Sequence, residues 1–200
     1  MKDLVINNSL DLIKKYNPNY TDEKIAEIEY GLMGLYLTIT KTIVIFLIAI
    51  VLGIFKELLI LTIFYNIIRL SSFGMHASSS LICLVTSASM FLGGAYLSSI
   101  LIIPINIKII LGIIGTILIF KNSPADTKKR PIINPKRRRI YKIISTIISI
   151  VFTILILFID NNLVANSLLI ALIYQVIMTA PTTYKLFNQP YDNYKNYIKV

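Results

Sequence analysis

G-L-Y-L-T-I-T-K-T-I-V-I-F-L-I-A-I-V-L-G-I-F, residues Gly34 to Phe55, carries a single charge, Lys41. As a helix this run rises about 33 Å, enough to cross the ~30 Å hydrocarbon core of a bilayer. Lys41 is tolerable there if it snorkels or faces a partner. Five more apolar runs follow: Glu57–Leu70, Ser80–Ile103, Ile107–Phe120, Ile143–Ile159 and Leu163–Ala180. The first of these is short and carries Asn66 and Arg69, so it reads as tilted or only partly inserted. Hydrophobic residues make up 56% of the chain and charged residues 15%, with a mean hydropathy of +0.72. A soluble domain is nearer a quarter charged. The fold class is therefore all-α: a polytopic integral membrane protein with about six transmembrane helices, for which lipid is the main solvent.

The chain reads as a single membrane domain, residues 1–200, with spans over 34–180. Residues 1–33 are polar and read as a cytoplasmic or interfacial amphipathic region, helical in two pieces. Leu4, Val5, Leu12 and Ile13 suggest the apolar stripe of the first piece, and Asn17-Pro18-Asn19 ends it. Thr21 is placed to cap the second, with Asp22 and Glu23 in the first turn and Ile25, Ile28 and Leu32 at helical spacing. Six acidic side chains in the first thirty residues argue against a cleavable signal peptide. Residues 181–200 form a tail rich in Tyr and Lys, a composition that suits a membrane interface. Within the third run, Gly93-Gly94-Ala95 favours close helix contact.

Between the fourth and fifth runs lies a basic loop, residues 121–142, with nine Lys or Arg against one acid, Asp126, for a local net of +8. The positive-inside rule places it in the cytoplasm. Counting spans outward puts both termini and the turn after the second run on that same face of the cell membrane, with Pro104–Asn106 and Asp160–Asn162 outside. Most of these charges read as a topology signal held against anionic lipid. Lys128, Lys129 and Arg130 also read as an electrostatic dock for an acidic substrate segment. A basic run embedded between membrane spans does not suit nucleic acid.

The chemistry concentrates in R-L-S-S-F-G-M-H-A-S-S-S-L-I-C, Arg69 to Cys83, which holds the only histidine and the only cysteine of the chain. A thiol and an imidazole are the minimal pair for nucleophilic acyl transfer. The plain alternative is a Cys that is a small buried hydrophobe and a His that bonds a backbone carbonyl. In one unbroken helix, residues seven apart lie about 10 Å apart along the axis, too far for a hydrogen bond. A catalytic pair therefore needs a break between His76 and Cys83, and Gly74 with the serine run Ser78-Ser79-Ser80 is where it belongs. Those serines are good caps for a helix starting near Leu81, which puts Cys83 in or near a first turn, where the macrodipole favours a thiolate. Arg69 either supports this site or contacts a substrate carboxylate, or is a helix-end cation at the interface. A lone cysteine excludes an intramolecular disulfide and a multi-cysteine metal site, and a lone histidine excludes H-E-x-x-H zinc chemistry; no metal and no cofactor is expected.

This stretch resembles the accessory gene regulator B (AgrB) family through R-x4-G-x-H-A-x5-C at Arg69, Gly74, His76, Ala77 and Cys83. A second match is P-A-D-T-K-K-R-P-I, Pro124 to Ile132, and length and hydropathy also agree. Phe73 stands where the family often has the first of two glycines. The resemblance implies a membrane-embedded cysteine endopeptidase that processes a short amphipathic, AgrD-like quorum-sensing pro-peptide. Cys83 is then the nucleophile and His76 the general base and acid. The thioester so formed keeps the energy of the cleaved bond, so a thiol or hydroxyl of the peptide can close a thiolactone or lactone on it. A homodimer in the membrane fits the same family. Asn66, Ser72, Ser78 and Asp126 are each candidates to orient the imidazole. The alternative is a non-enzymatic transporter or accessory protein for peptide export, for which Lys41 is the candidate intramembrane charge.

Overall fold

A computed structural model describes residues 2–75, 79–128 and 130–198. Their regular elements are all helices: α1 (Lys2–Tyr16), α2 (Asp22–Val51), α3 (Phe55–Ser72), α4 (Ser80–Ile100), α5 (Ile105–Asn122), α6 (Pro135–Phe158), α7 (Asn162–Thr179), α8 (Pro181–Leu186) and α9 (Lys195–Ile198). The chain clusters into two compact units, Met1–Ile48 and Ala49–Val200.

The first unit holds α1 and most of α2. Ile6 and Leu10, one turn apart, are the buried residues of α1, while Leu4, Val5 and Leu12 are exposed, so the apolar stripe lies round the helix from the one expected. The Thr21 hydroxyl accepts the Lys24 N–H at 3.3 Å and caps α2, as anticipated. From there α2 runs without a break through residue 33, where the sequence suggested separate pieces. Gly31 and Gly34 each weaken a helix by only about 1 kcal/mol, and the strong helix formers Leu32, Met33 and Leu35 lie between and beside them. At thirty residues α2 is about 45 Å long, so its charged first turns reach beyond the hydrocarbon.

In the second unit α7 is the centre, and α3, α4, α5 and α6 all pack on it. Its run Ala165–Leu172 is buried without interruption, and so are Gln175 and Thr179. Because lipid is as apolar as leucine, close van der Waals fit rather than water exclusion holds such helices together. Gly94 shows the fit: a Cβ there would lie 2.7 Å from the Tyr174 hydroxyl and 2.8 Å from a methyl of Leu61. Gly94 and Ala95 are thus consumed in contacts within the chain. On the outside, Ile113, Ile117, Ile147 and Ile154 stand about half exposed, as a lipid-facing surface requires.

Among the described residues, five helices, α2, α4, α5, α6 and α7, are long and apolar enough to cross a membrane. α3 has the length of α7 but carries Lys56, Glu57 and Arg69. At eighteen residues it rises about 27 Å. Its C-terminal end meets the end of α5 through Phe73 and Ala125, and residue Met75 beyond it meets the end of α7 at Met178. At the opposite end of the unit, the Asn166 amide donates to the carbonyls of Ser98 and Leu101, and Lys108 donates to Asn162. The helix ends therefore alternate, with α3 alongside the rest.

The basic segment also differs in shape from the loop expected over 121–142. Lys121 and Asn122 end α5, and Lys136–Lys142 lie on α6, leaving residues 123–134 as the connection. The Asn134 side chain accepts the N–H groups of Lys136 and Arg137, with Pro135 at the first helical position, which starts α6 ahead of its apolar run. In a Cys83→Ala background, single cysteines at Asn134 should be labelled only from the cytoplasm, and cysteines at Leu52 or Asn161 only from outside. Labelling of Asn134 from outside intact cells would invert the topology, and a cytoplasmic Leu52 would show that α3 does not cross.

Candidate functional site

The helix ends described above meet at the chain segment after α3. The N–H of Phe73 closes the last turn on the Arg69 carbonyl at 3.0 Å. Phe73 then takes φ 58° and ψ −136°, and Gly74 takes φ 126°. Glycine reaches such a conformation without penalty, whereas a phenylalanine held there costs of order 1–3 kcal/mol. The strain is compensated by contacts: the Phe73 ring packs edge-on against Tyr141, centroids 4.9 Å apart, and its carbonyl accepts Nε2 of Gln175 at 2.6 Å. Gly74 has no room for a side chain, since a Cβ would lie 2.7 Å from Nη1 of Arg69 and 2.8 Å from the Met178 carbonyl oxygen.

The backbone of this segment is tied to the loop, to α7 and to Arg69. The Gly74 N–H donates to Ala125 O at 2.9 Å and the Ala125 N–H to Ser72 O at 3.0 Å, which makes a short parallel bridge to the loop. The Met75 N–H donates to Met178 O at 2.9 Å, and the Met75 carbonyl accepts Nη2 of Arg69 at 2.9 Å. Arg69 is therefore bonded to the backbone immediately before residue 76, and its guanidinium also lies 5.8 Å from the Tyr65 ring centroid. Nη1 of Arg69 and Oε1 of Gln175 are buried, with no hydrogen-bond partner among the described residues.

On the far side, Ser79 caps α4. Its hydroxyl oxygen accepts the Ile82 N–H at 3.2 Å, and its carbonyl accepts the Cys83 N–H at 3.0 Å. Cys83 thus makes the first main-chain bond of α4, and it is half-buried. α3 and α4 end and begin at Ser72 and Ser80, so no single helix joins the two halves of the candidate pair. His76, Ser78 and Lys129 lie outside the described residues. Asn66, at helical distance from the turn, uses its side chain on the Thr62 carbonyl.

The loop bridged to Gly74 is organised by Asp126, which is 2% exposed. Its Oδ1 accepts the Asn193 N–H at 3.1 Å. Its Oδ2 accepts the N–H groups of Tyr194 and Ile132 at 3.0 and 3.2 Å, and lies 3.4 Å from Nη1 of Arg138. The Tyr184 hydroxyl lies 3.1 and 3.0 Å from the carbonyl oxygens of Ala125 and Asp126. Burial raises the Tyr184 phenol well above its ordinary value and pushes Tyr191 up to about 12, so both remain O–H donors at any physiological pH. Lys128 and Arg130, by contrast, are exposed, as a docking surface for charge requires.

The tail therefore does something its composition did not announce. Tyr184 is 1% exposed and packs with Met75 and Ala125, clamping the loop from below instead of lying at an interface. Gln175 and Asn193 were also missed. Gln175 carried a usable signal, because an amide inside the apolar run Leu163–Ala180 needs a partner in lipid. Lys108, 3% exposed, was likewise overlooked; its ammonium donates to Asn162 Oδ1 at 3.1 Å in the first turn of α5, so it closes a helix end and does not mark a mid-span path.

Comparison with known proteins places the chain among similar sequences. A family profile described as accessory gene regulator B matches residues 6–179. A protein of Clostridium acetobutylicum named as AgrB-like is 28% identical over 171 residues, covering 86% of this chain and 82% of its own length. An AgrB-like protein of Listeria monocytogenes serotype 4b is 31% identical over 188 residues, 93% of this chain and 91% of that one. No solved structure matches the chain.

Proposed function

Because the chain belongs to the accessory gene regulator B family, with a part in the agr quorum-sensing system that membership carries, we propose that it is a cysteine endopeptidase of the cytoplasmic membrane. Its substrate is an AgrD-like pro-peptide. The observation that carries the reading is the break between α3 and α4: the sole histidine stands in the sequence between these helices and the sole cysteine in the first turn of α4, with the chain after α3 bonded to α7 and the loop and the start of α4 capped by Ser79. His76 takes the proton of the Cys83 thiol, and the thiolate attacks the scissile carbonyl carbon. The tetrahedral intermediate collapses, the C–N bond breaks, and the imidazolium gives its proton to the departing amine. The thioester on Cys83 is then attacked by a thiol or hydroxyl within the same peptide, whose proton His76 takes, closing a ring and releasing the thiolate. A site at the lipid boundary limits water as the competing nucleophile.

In this account Arg69 and Gly74 position the turn, Asp126 holds the loop against it, and Lys128, Lys129 and Arg130 attract an acidic segment of the substrate. Ser78 stands in the serine run before α4. The cytoplasmic orientation follows from the basic residues gathered at the site end of the second unit. A homodimer gains nothing from Gly94 and Ala95, which are buried within one chain.

Vesicles containing this chain as their only protein should cut a synthetic pro-peptide with an amphipathic start, a central Cys or Ser and an acidic tail into two fragments. A transporter or accessory protein would leave that peptide intact, on either side of the membrane.

A further inference from the structure

A groove of about 510 Å³ opens where the end of α5, the second turn of α6 and the tail meet. Lys121, Arg138, Arg139 and Lys142 line it, with Tyr191 and Tyr194 on the tail side. Its one acid, Asp192, is bonded to Lys195. Arg138 is already committed, to Asp126 and to the face of Tyr194 at 3.5 Å. The ammonium of Lys142 sits 4.5 Å from the centroid of Phe120, a ring that is itself 55% exposed. Immediately along the two helices from this cationic floor, Ile117, Ile143 and Ile147 are exposed as well.

That sequence of surfaces, cations above an aromatic and then bare isoleucine, has the order of a phospholipid from phosphate to acyl chain. We infer that the groove binds the phosphate headgroup of an anionic phospholipid, with its chains along the exposed faces of α5 and α6. Two features favour a lipid over a free anion or an acidic peptide. Lys142 is shared between the groove and the lipid-facing Phe120, so a ligand at the cations is already at the apolar boundary. The exposed apolar surface starts at the groove, where a soluble anion would find no partner for it. Anionic lipid is drawn to clustered Lys and Arg at such an interface by roughly a factor of five per charge. The groove's lining includes neither Gly74 nor Cys83, and the inference stands or falls apart from the peptidase reading.

The test uses the full chain, delipidated in detergent, mixed with equal phosphatidylglycerol and phosphatidylcholine, and read by native mass spectrometry. The wild type should retain phosphatidylglycerol preferentially. Lys121→Gln/Arg139→Gln/Lys142→Gln should lose that preference by roughly ten-fold or more. Lys136→Gln/Arg137→Gln, on exposed positions of the same helix outside the groove, should keep it. If the triple variant departs from the wild-type thermal melt, the exposed pair Lys121→Gln/Arg139→Gln serves in its place, with the same loss expected in part. An unchanged preference in the groove variant overturns the inference. So does an equal loss in the Lys136/Arg137 control, which would mean diffuse charge, or displacement of the lipid by inorganic phosphate or by an acidic peptide.

Discussion

Cys83→Ser and His76→Ala should each abolish cleavage of the pro-peptide in membranes while the protein still inserts at wild-type level. The chain has no other thiol and no other imidazole to take over. Loss of a general base alone removes roughly 10²–10⁴-fold in rate, and loss of the nucleophile removes the covalent route altogether. Because the two act as a unit, the double variant should be no worse than the Cys83 variant alone. The structural cost should be small: Cys83 is half-buried in the first turn of α4, and neither substitution disturbs the backbone N–H that it donates to Ser79. Either single variant cutting near the wild-type rate would remove the pair from the mechanism.

Asp126→Ala should destabilise the protein by about 3 kcal/mol, or roughly 6–12 °C in the helical melt in detergent, and cleavage should fall with it. The carboxylate accepts from three backbone N–H groups, on the loop and on the tail, and from Arg138. Removing it leaves those donors buried or nearly so, without acceptors, and it is the uncompensated groups that cost. The loss passes to the site through Ala125, whose N–H and carbonyl hold Ser72 and Gly74. Asp126→Asn keeps acceptor capacity without the charge and should fall between. The same experiment separates two roles. If Asp126 instead oriented the imidazole directly, the alanine variant would lose cleavage with an unaltered melt.

How far the sequence could be read follows from the range of the interactions. The apolar runs, the cap at Thr21, the break at Gly74 and the capping serines are local signals, each fixed by neighbours within a few residues. The all-α membrane class follows from them, while about six spans were expected and five helices are long and apolar enough to cross. The boundaries that went astray did so where composition and conformation part company. The charge of Lys136–Lys142 reads as loop, yet Asn134-Pro135 starts a helix there, and the change to apolar composition at residue 34 does not break α2. The tail was illegible for a different reason. Tyr184 meets Asp126 across 58 residues, and a tyrosine next to lysine fits an interface as well as a buried clamp. Gly93-Gly94-Ala95 announced the close contact that Gly94 and Ala95 make, though not Gly93, and could not say whether the neighbour was this chain or another. For the site itself, spacing demanded a break and the chain provides one, but the partners that hold it, Gln175, Met178 and Ala125, come from segments whose proximity only the fold supplies.

The central claim, covalent catalysis by Cys83, is tested most directly by the intact mass of the protein after brief incubation with its pro-peptide and an acid quench. The account predicts an adduct equal to the N-terminal fragment of the cleaved peptide, carried on Cys83 and removed by neutral hydroxylamine, as a thioester is. It should be absent from Cys83→Ala. Cleaved peptide appearing with no such adduct, and appearing equally with Cys83→Ala, would contradict the account.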